Sequence, residues 1–101
     1  MNSKFKESYC CEMKGLLSFL ILFLLSTKPM SGTEMCSEIE KRKGVRPSPG
    51  TIYPALRTMK KSGLVKEKKL GNSIIYSLTK LGKRNLKIAR RNFLRAFKGI
   101  I

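Results

Sequence analysis

Residues 15–25 read GLLSFLILFLL, an apolar run broken only by a glycine and a serine. A chain of 101 residues has little core to spare, so this segment has to lie at the centre of whatever folds. It is too short to cross a bilayer, which takes about 20 apolar residues. With the basic residues before it the run imitates a secretory signal, but Glu7 and Glu12 dilute the leading charge and STKPMSG (26–32) is a poor cleavage site. The preferred reading is a helix from Lys14 to Ser26. Being apolar on every side, it should be buried from two directions, by its own domain and by a second subunit, with Leu17, Leu20 and Leu24 toward that subunit. Residues 1–13 are polar and weakly periodic, which suits an N-terminal arm or a short extra helix.

Charge sets the class of partner. Lys and Arg number 22 against 6 Asp and Glu, so 22 − 6 gives +16. Solubility does not require such an imbalance, and its self-repulsion opposes compactness until a polyanion neutralises it. Cys10, Cys11 and Cys36 do not make the even, spaced framework of a small secreted protein, which points to a reducing compartment, the cytoplasm. With no histidine and no CxxC pair, neither a metal site nor a cofactor is expected. The acid, base and nucleophile constellations of catalysis are missing as well, so the chain does not read as an enzyme.

The rest is a string of short elements without repeats or linkers. Pro29 stops the first helix, and Ser31 with Glu34 has the capping-box spacing for a second. Met35, Cys36 and Ile39 fall on its inner side, Glu38 and Arg42 pair on its outer side, and Gly44 ends it. A third helix begins in SPGTIYPAL, either with Ser48 as N-cap and Pro49 at the first helical position or with Thr51 as the effective cap. The second choice brings Pro54 into the first turn, where a missing N–H costs nothing. Ile52, Leu56 and Met59 form a core stripe, while Tyr53, Pro54, Arg57, Lys60 and Lys61 lie on the other side. Such side chains meet phosphates and base edges in a major groove.

Gly63 closes that helix, and LVKEKKLGNSIIYSL (64–78) holds two β-prone runs around Gly71-Asn72, a hairpin with Lys66, Lys68 and Lys69 on its first strand. Thr79 caps a last helix, in which Leu86, Ala89, Phe93, Ala96, Phe97 and Ile100 make an apolar seam that either packs within one chain or, as the preferred reading, forms a dimer seam. Lys80, Arg84, Lys87, Arg91, Arg95 and Lys98 form a separate basic stripe. Helix, turn, helix and basic hairpin is the order of a winged helix-turn-helix. The expected fold class is mainly α with a small β-hairpin (α+β): an arm over 1–13, a winged helix-turn-helix over 14–78 and a C-terminal dimerisation helix over 79–101.

The segments LSFLILFLLSTKPMSGTEM, SPGTIYPALRTMKKSGLV and YSLTKLGKRNL resemble the PadR family of bacterial and archaeal transcriptional regulators, over roughly residues 16–95. The resemblance implies a winged-helix DNA-binding domain, dimerisation through the C-terminal helix, and a repressor released by an effector or stress signal. Ser48, Gly50, Thr51, Tyr53, Pro54 and Arg57 match its recognition-helix motif. Thr33 replaces an aromatic residue, Lys60 an acid, and Asn72 and Ser73 stand near where many members carry a basic pair.

The expected function is therefore sequence-specific binding of double-stranded DNA by a homodimer acting as a repressor in the cytoplasm, at the nucleoid. Tyr53 and Arg57 would read or position the recognition helix, and Lys66, Lys68 and Lys69 would meet flanking phosphates. A small-molecule effector has no support in the residues. Two alternatives stay open: an architectural protein that coats DNA without sequence choice, and a membrane-attached or secreted cationic protein.

Overall fold

The computed structural model describes the backbone of residues 12–97 and all their side chains except those of 12–14, 93, 96 and 97. The elements are α1 (Glu12–Thr27), β1 (Met30–Ser31), α2 (Gly32–Lys43), α3 (Pro49–Lys61), β2 (Val65–Leu70), β3 (Ser73–Leu78) and α4 (Lys80–Phe97). Residues 12 and 13, expected in the arm, belong to α1; the rest of the arm, Lys98 and Ile100 lie outside the described residues. Among the described residues no helix is long and apolar enough to cross a membrane.

The apolar run does take the centre. Ile21, Leu22, Leu24 and Leu25 of α1 are buried, and α2, α3, β3 and α4 all pack against that helix. Met35, Cys36 and Ile39 from α2, Ile52, Leu56 and Met59 from α3, and Val65, Tyr76, Leu78 and Leu86 close the core around it. Each Val, Leu, Ile or Met side chain so withdrawn from water contributes about 1.5–3 kcal/mol. Cys36 is one of these packing groups: burial pushes its thiol pKa up, with Arg46 opposing in part, which leaves little reactive thiolate.

The connections follow from local chemistry. The Ser31 hydroxyl accepts from the Glu34 N–H at 3.1 Å while the Glu34 carboxylate accepts from the Ser31 N–H at 2.9 Å, so the expected capping box starts α2. Gly44, at φ 81°, ends it by donating to the Glu40 carbonyl. Between β2 and β3 the chain reverses through Gly71 and Asn72, with Leu70 opposite Ser73 and Gly71 at φ 61°.

The hairpin gains a partner that periodicity could not announce. Met30 pairs with Tyr76 and Ser31 with Ile75, so β1 makes a three-stranded antiparallel sheet in the order β1-β3-β2. Two residues are too few to carry an alternating pattern. The pairing anchors the wing to the start of α2, since Ser31 ends β1 and caps that helix at once.

The last helix is tied to the end of α3. The Thr79 hydroxyl donates to the Gly63 carbonyl at 2.5 Å and accepts from the Gly82 N–H at 3.0 Å, while the Thr79 N–H donates to the Leu64 carbonyl. A Cβ on Gly82 would stand 2.1 Å from the Leu64 carbonyl oxygen, so only glycine allows this approach. The segment SLTKLG is thus a structural joint between wing and helix.

Candidate nucleic-acid interface

Helix α3 starts on Ser48, whose extended backbone (φ −79°, ψ 159°) turns the chain in and whose carbonyl accepts from the Thr51 and Ile52 N–H groups. Pro49 follows at the first helical position. Thr51 is not the cap; its hydroxyl sits 3.1 Å from that of Ser48, and Pro54 is a proline inside the helix, beyond the first turn. The cost of Pro54 falls on the carbonyl four residues back, that of Gly50, which lies in an exposed stretch where solvent can take over as donor.

Ile52, Leu56 and Met59 bury one side of α3, which leaves Gly50, Pro54, Arg57 and Lys61 in a line at steps of four, three and four along the opposite side. All four are exposed. Tyr53 and Lys60 flank that line toward the sheet. Thr51 and Thr58 flank it toward α1, where Gly15, Leu17, Ser18 and Ala55 complete a groove of about 600 Å³. Tyr53 both packs and projects. Its ring lies against the start of α2, so close that a Cβ on Gly32 would be 2.6 Å from the phenol oxygen, and yet 39% of the residue is open to solvent.

The wing meets this helix through an ion pair. Lys60 Nζ lies 3.2 Å from Glu67 Oε2 on β2. Side chains alternate along a strand, so Glu67 and Lys69 share the side of β2 that faces α3, whereas Lys66 and Lys68 point to the other side. All three lysines are exposed, but they do not form one cluster. Tyr76, opposite Glu67 in register, is buried; burial chiefly, then Glu67 and Tyr53, pushes its phenol pKa up, and Arg57 acts the other way. Tyr53, Arg57 and Glu67 thus all lie within electrostatic reach of Tyr76.

Two contributors escaped the sequence reading. Glu67 was visible as the one acid between residues 41 and 101, though its partner was not. Gly82 carried no local sign that a carbonyl would approach it. The residues read as a dimer surface divide differently. Leu24 (1% exposed) and Leu86 (6%) belong to the core of the single chain, and Leu17, Leu20 and Ala89 are half-buried. The side chains of Phe93, Ala96 and Phe97 and the whole of Ile100 lie outside the described residues. Among the described residues of α4, the exposed large apolar side chains are Leu81, Ile88 and Leu94. Leu86 points inward where α4 packs on α1. Among the described residues no group of three or more Cys, Asp and Glu side chains is placed to hold a metal ion.

This geometry has counterparts. The profile of the transcriptional regulator PadR-like family matches residues 21–88. No curated protein matches the chain. Among solved structures, a protein of Thermoplasma acidophilum assigned as a transcriptional regulator is 29% identical, with a TM-score of 0.78 over 87% of this chain and 88% of that one. A PadR-like transcriptional regulator from Bacillus cereus is 25% identical, with a TM-score of 0.79 over 87% and 90%. The PadR-like transcription factor of Bacteroides fragilis reaches a TM-score of 0.83 over 93% and 95% at 20% identity, a likeness of fold.

Proposed function

Because the chain belongs to the PadR-like family of transcriptional regulators, we propose that it represses transcription as a homodimer, with one α3 per protomer entering successive major grooves of an operator about one helical turn apart. The observation that carries this reading is the outward line of Gly50, Pro54, Arg57 and Lys61, flanked by Tyr53, on a helix whose opposite side is fully committed to the core. A helix held rigidly from behind, with cations and an aromatic ring in front and no acid of its own, suits base edges and phosphates. Lys69 extends that surface along the wing, and Lys66 and Lys68 serve phosphates beyond it. Ser48 and Thr51, at the exposed start of α3, add hydroxyls for the backbone there.

For the dimer, exposed Leu81 and Ile88 on α4, together with the half-open end of α1 at Leu16, Leu17 and Leu20, supply apolar surface that one protomer leaves uncovered. Selection from random duplexes with the purified full-length chain tests the reading. A two-fold related pair of half-sites should be enriched. A protein that coats DNA indiscriminately, which a charge of +16 would also allow, enriches none.

A further inference from the structure

Among the acids whose side chains are described, all but one lie on α2 and are occupied there: Glu34 completes the capping box, Glu38 pairs with Lys41 and Arg42, and Glu40 pairs with Arg46. Glu67 stands apart, the one carboxylate between residues 41 and 101, on the side of the wing that faces α3, beside Lys69 and 3.2 Å from Lys60. A carboxylate there is unfavourable for binding a polyanion. It is also unnecessary for capping or folding a strand, since β2 is already paired along its length with β3.

Resting on the DNA-binding reading above, we propose that Glu67 is a specificity-determining residue: it occupies Lys60 as an internal rival to phosphate and so holds down binding to non-operator DNA. The physical reason lies in how the two kinds of complex form. Non-specific binding is almost wholly electrostatic, and a protein sliding through every register offers each free lysine a phosphate. In the operator register α3 is fixed by its base contacts, and Lys60, at the wing side of its last turn, gains a phosphate only if one happens to lie within reach. Releasing Lys60 therefore favours random DNA more than the operator. The ion pair is exposed enough to exchange, with the Lys60 and Glu67 side chains 51% and 35% open to solvent, so it tunes binding without being a structural lock.

The test is a cycle of four full-length proteins, wild type, K60Q, E67Q and K60Q/E67Q, measured on a random duplex and on the duplex enriched by selection, across a salt series. E67Q should tighten random-duplex binding about fivefold near 0.15 M salt and steepen the log–log salt slope by about 0.9, the value of one further released counterion. The gain on the selected duplex should be smaller, so that the specificity ratio falls. K60Q should change random-duplex binding by less than about twofold in the wild-type background and remove the whole gain in the E67Q background, because the lysine acts only once it is released. Melting midpoints should stay within about 2 °C of wild type, as for any exposed pair.

Equal losses from K60Q in both backgrounds would overturn the proposal, as would an E67Q protein with unchanged affinity for random DNA or an unchanged ratio. Failure of the underlying reading looks different: wild type then enriches no sequence at all, whereas failure of the proposal alone leaves an enriched motif and an additive cycle.

Discussion

Helices α2 and α3 have 12 and 13 residues, each follows a serine in extended backbone, and each turns an apolar stripe inward, Met35, Cys36 and Ile39 in one and Ile52, Leu56 and Met59 in the other. Their outer sides differ. On α2 the acids Glu34, Glu38 and Glu40 engage the cap and the neighbouring cations Lys41, Arg42 and Arg46, and Arg42 also stands 5.6 Å over the Phe23 ring. On α3 there is no acid, and Lys60 finds its carboxylate only by reaching the wing. The contrast teaches that burial makes the two helices a matched support, while charge assigns their work. One pairs Lys41 and Arg42 within the chain, and the other leaves Arg57 and Lys61 for a partner.

The largest expected effect concerns the shared part. Ile39→Ala and Leu56→Ala should each cost about 2–5 kcal/mol in urea-induced unfolding, since both side chains are fully enclosed. Values differing by more than that range would mean that the two helices do not support the core alike. Next comes the outer contrast. Arg57→Ala should lose about 1–3 kcal/mol of discrimination between operator and mismatched duplexes, whereas Arg42→Ala, whose guanidinium is bound to Glu38, should leave that discrimination unaltered in the same competition assay. Equal effects from both would erase the distinction between the helices.

A smaller pair sharpens the likeness of their ends. Gly44 follows α2 and Gly63 follows α3, both at φ 81°, so Gly44→Ala and Gly63→Ala should each cost about 1–2 kcal/mol by thermal unfolding, a left-handed residue being strained once it bears a Cβ. The smallest effect is on pH. Hydrogen bonds from Arg42, then Lys41, hold the Glu38 carboxyl below the ordinary carboxylate range. A group whose folded pKa is depressed contributes stability above its unfolded pKa and loses it as pH falls through the folded value. An NMR titration should therefore find the Glu38 midpoint rising in Arg42→Ala, with only a slight loss of stability confined to acid pH.

Much of the frame was legible in the residues because it is local. The capping box at Ser31 and Glu34, the end of α2 at Gly44, the reversal at Gly71 and the core stripe of α3 each depend on residues within a few positions of one another. The start of α3 was legible only as a choice, and the structure puts it at Ser48, which makes Pro54 an interior proline whose cost is met in solvent. Strand β1 was missed because its partners, Ile75 and Tyr76, lie far along the chain. The three wing lysines read as one group, and the register divides them, since one step along a strand reverses the side a residue faces. Helix α4 showed two stripes, but which apolar side chains face inward depends on where α1 lies, and that placed Leu86 in the core and left Ile88 outside.

What the amino-acid order determined unaided was the four helices and the hairpin, most of their caps and turns, and a cationic surface in need of a polyanion, because propensity, capping and net charge act over a turn of helix or over the whole composition. What only the folded arrangement decided was which charges meet: Lys60 with Glu67 across helix and wing, Lys69 apart from Lys66 and Lys68, and Gly82 against the Leu64 carbonyl. Coulomb attraction and steric exclusion act over a few ångströms, and distances of that kind between remote residues exist only once the core has brought the elements together.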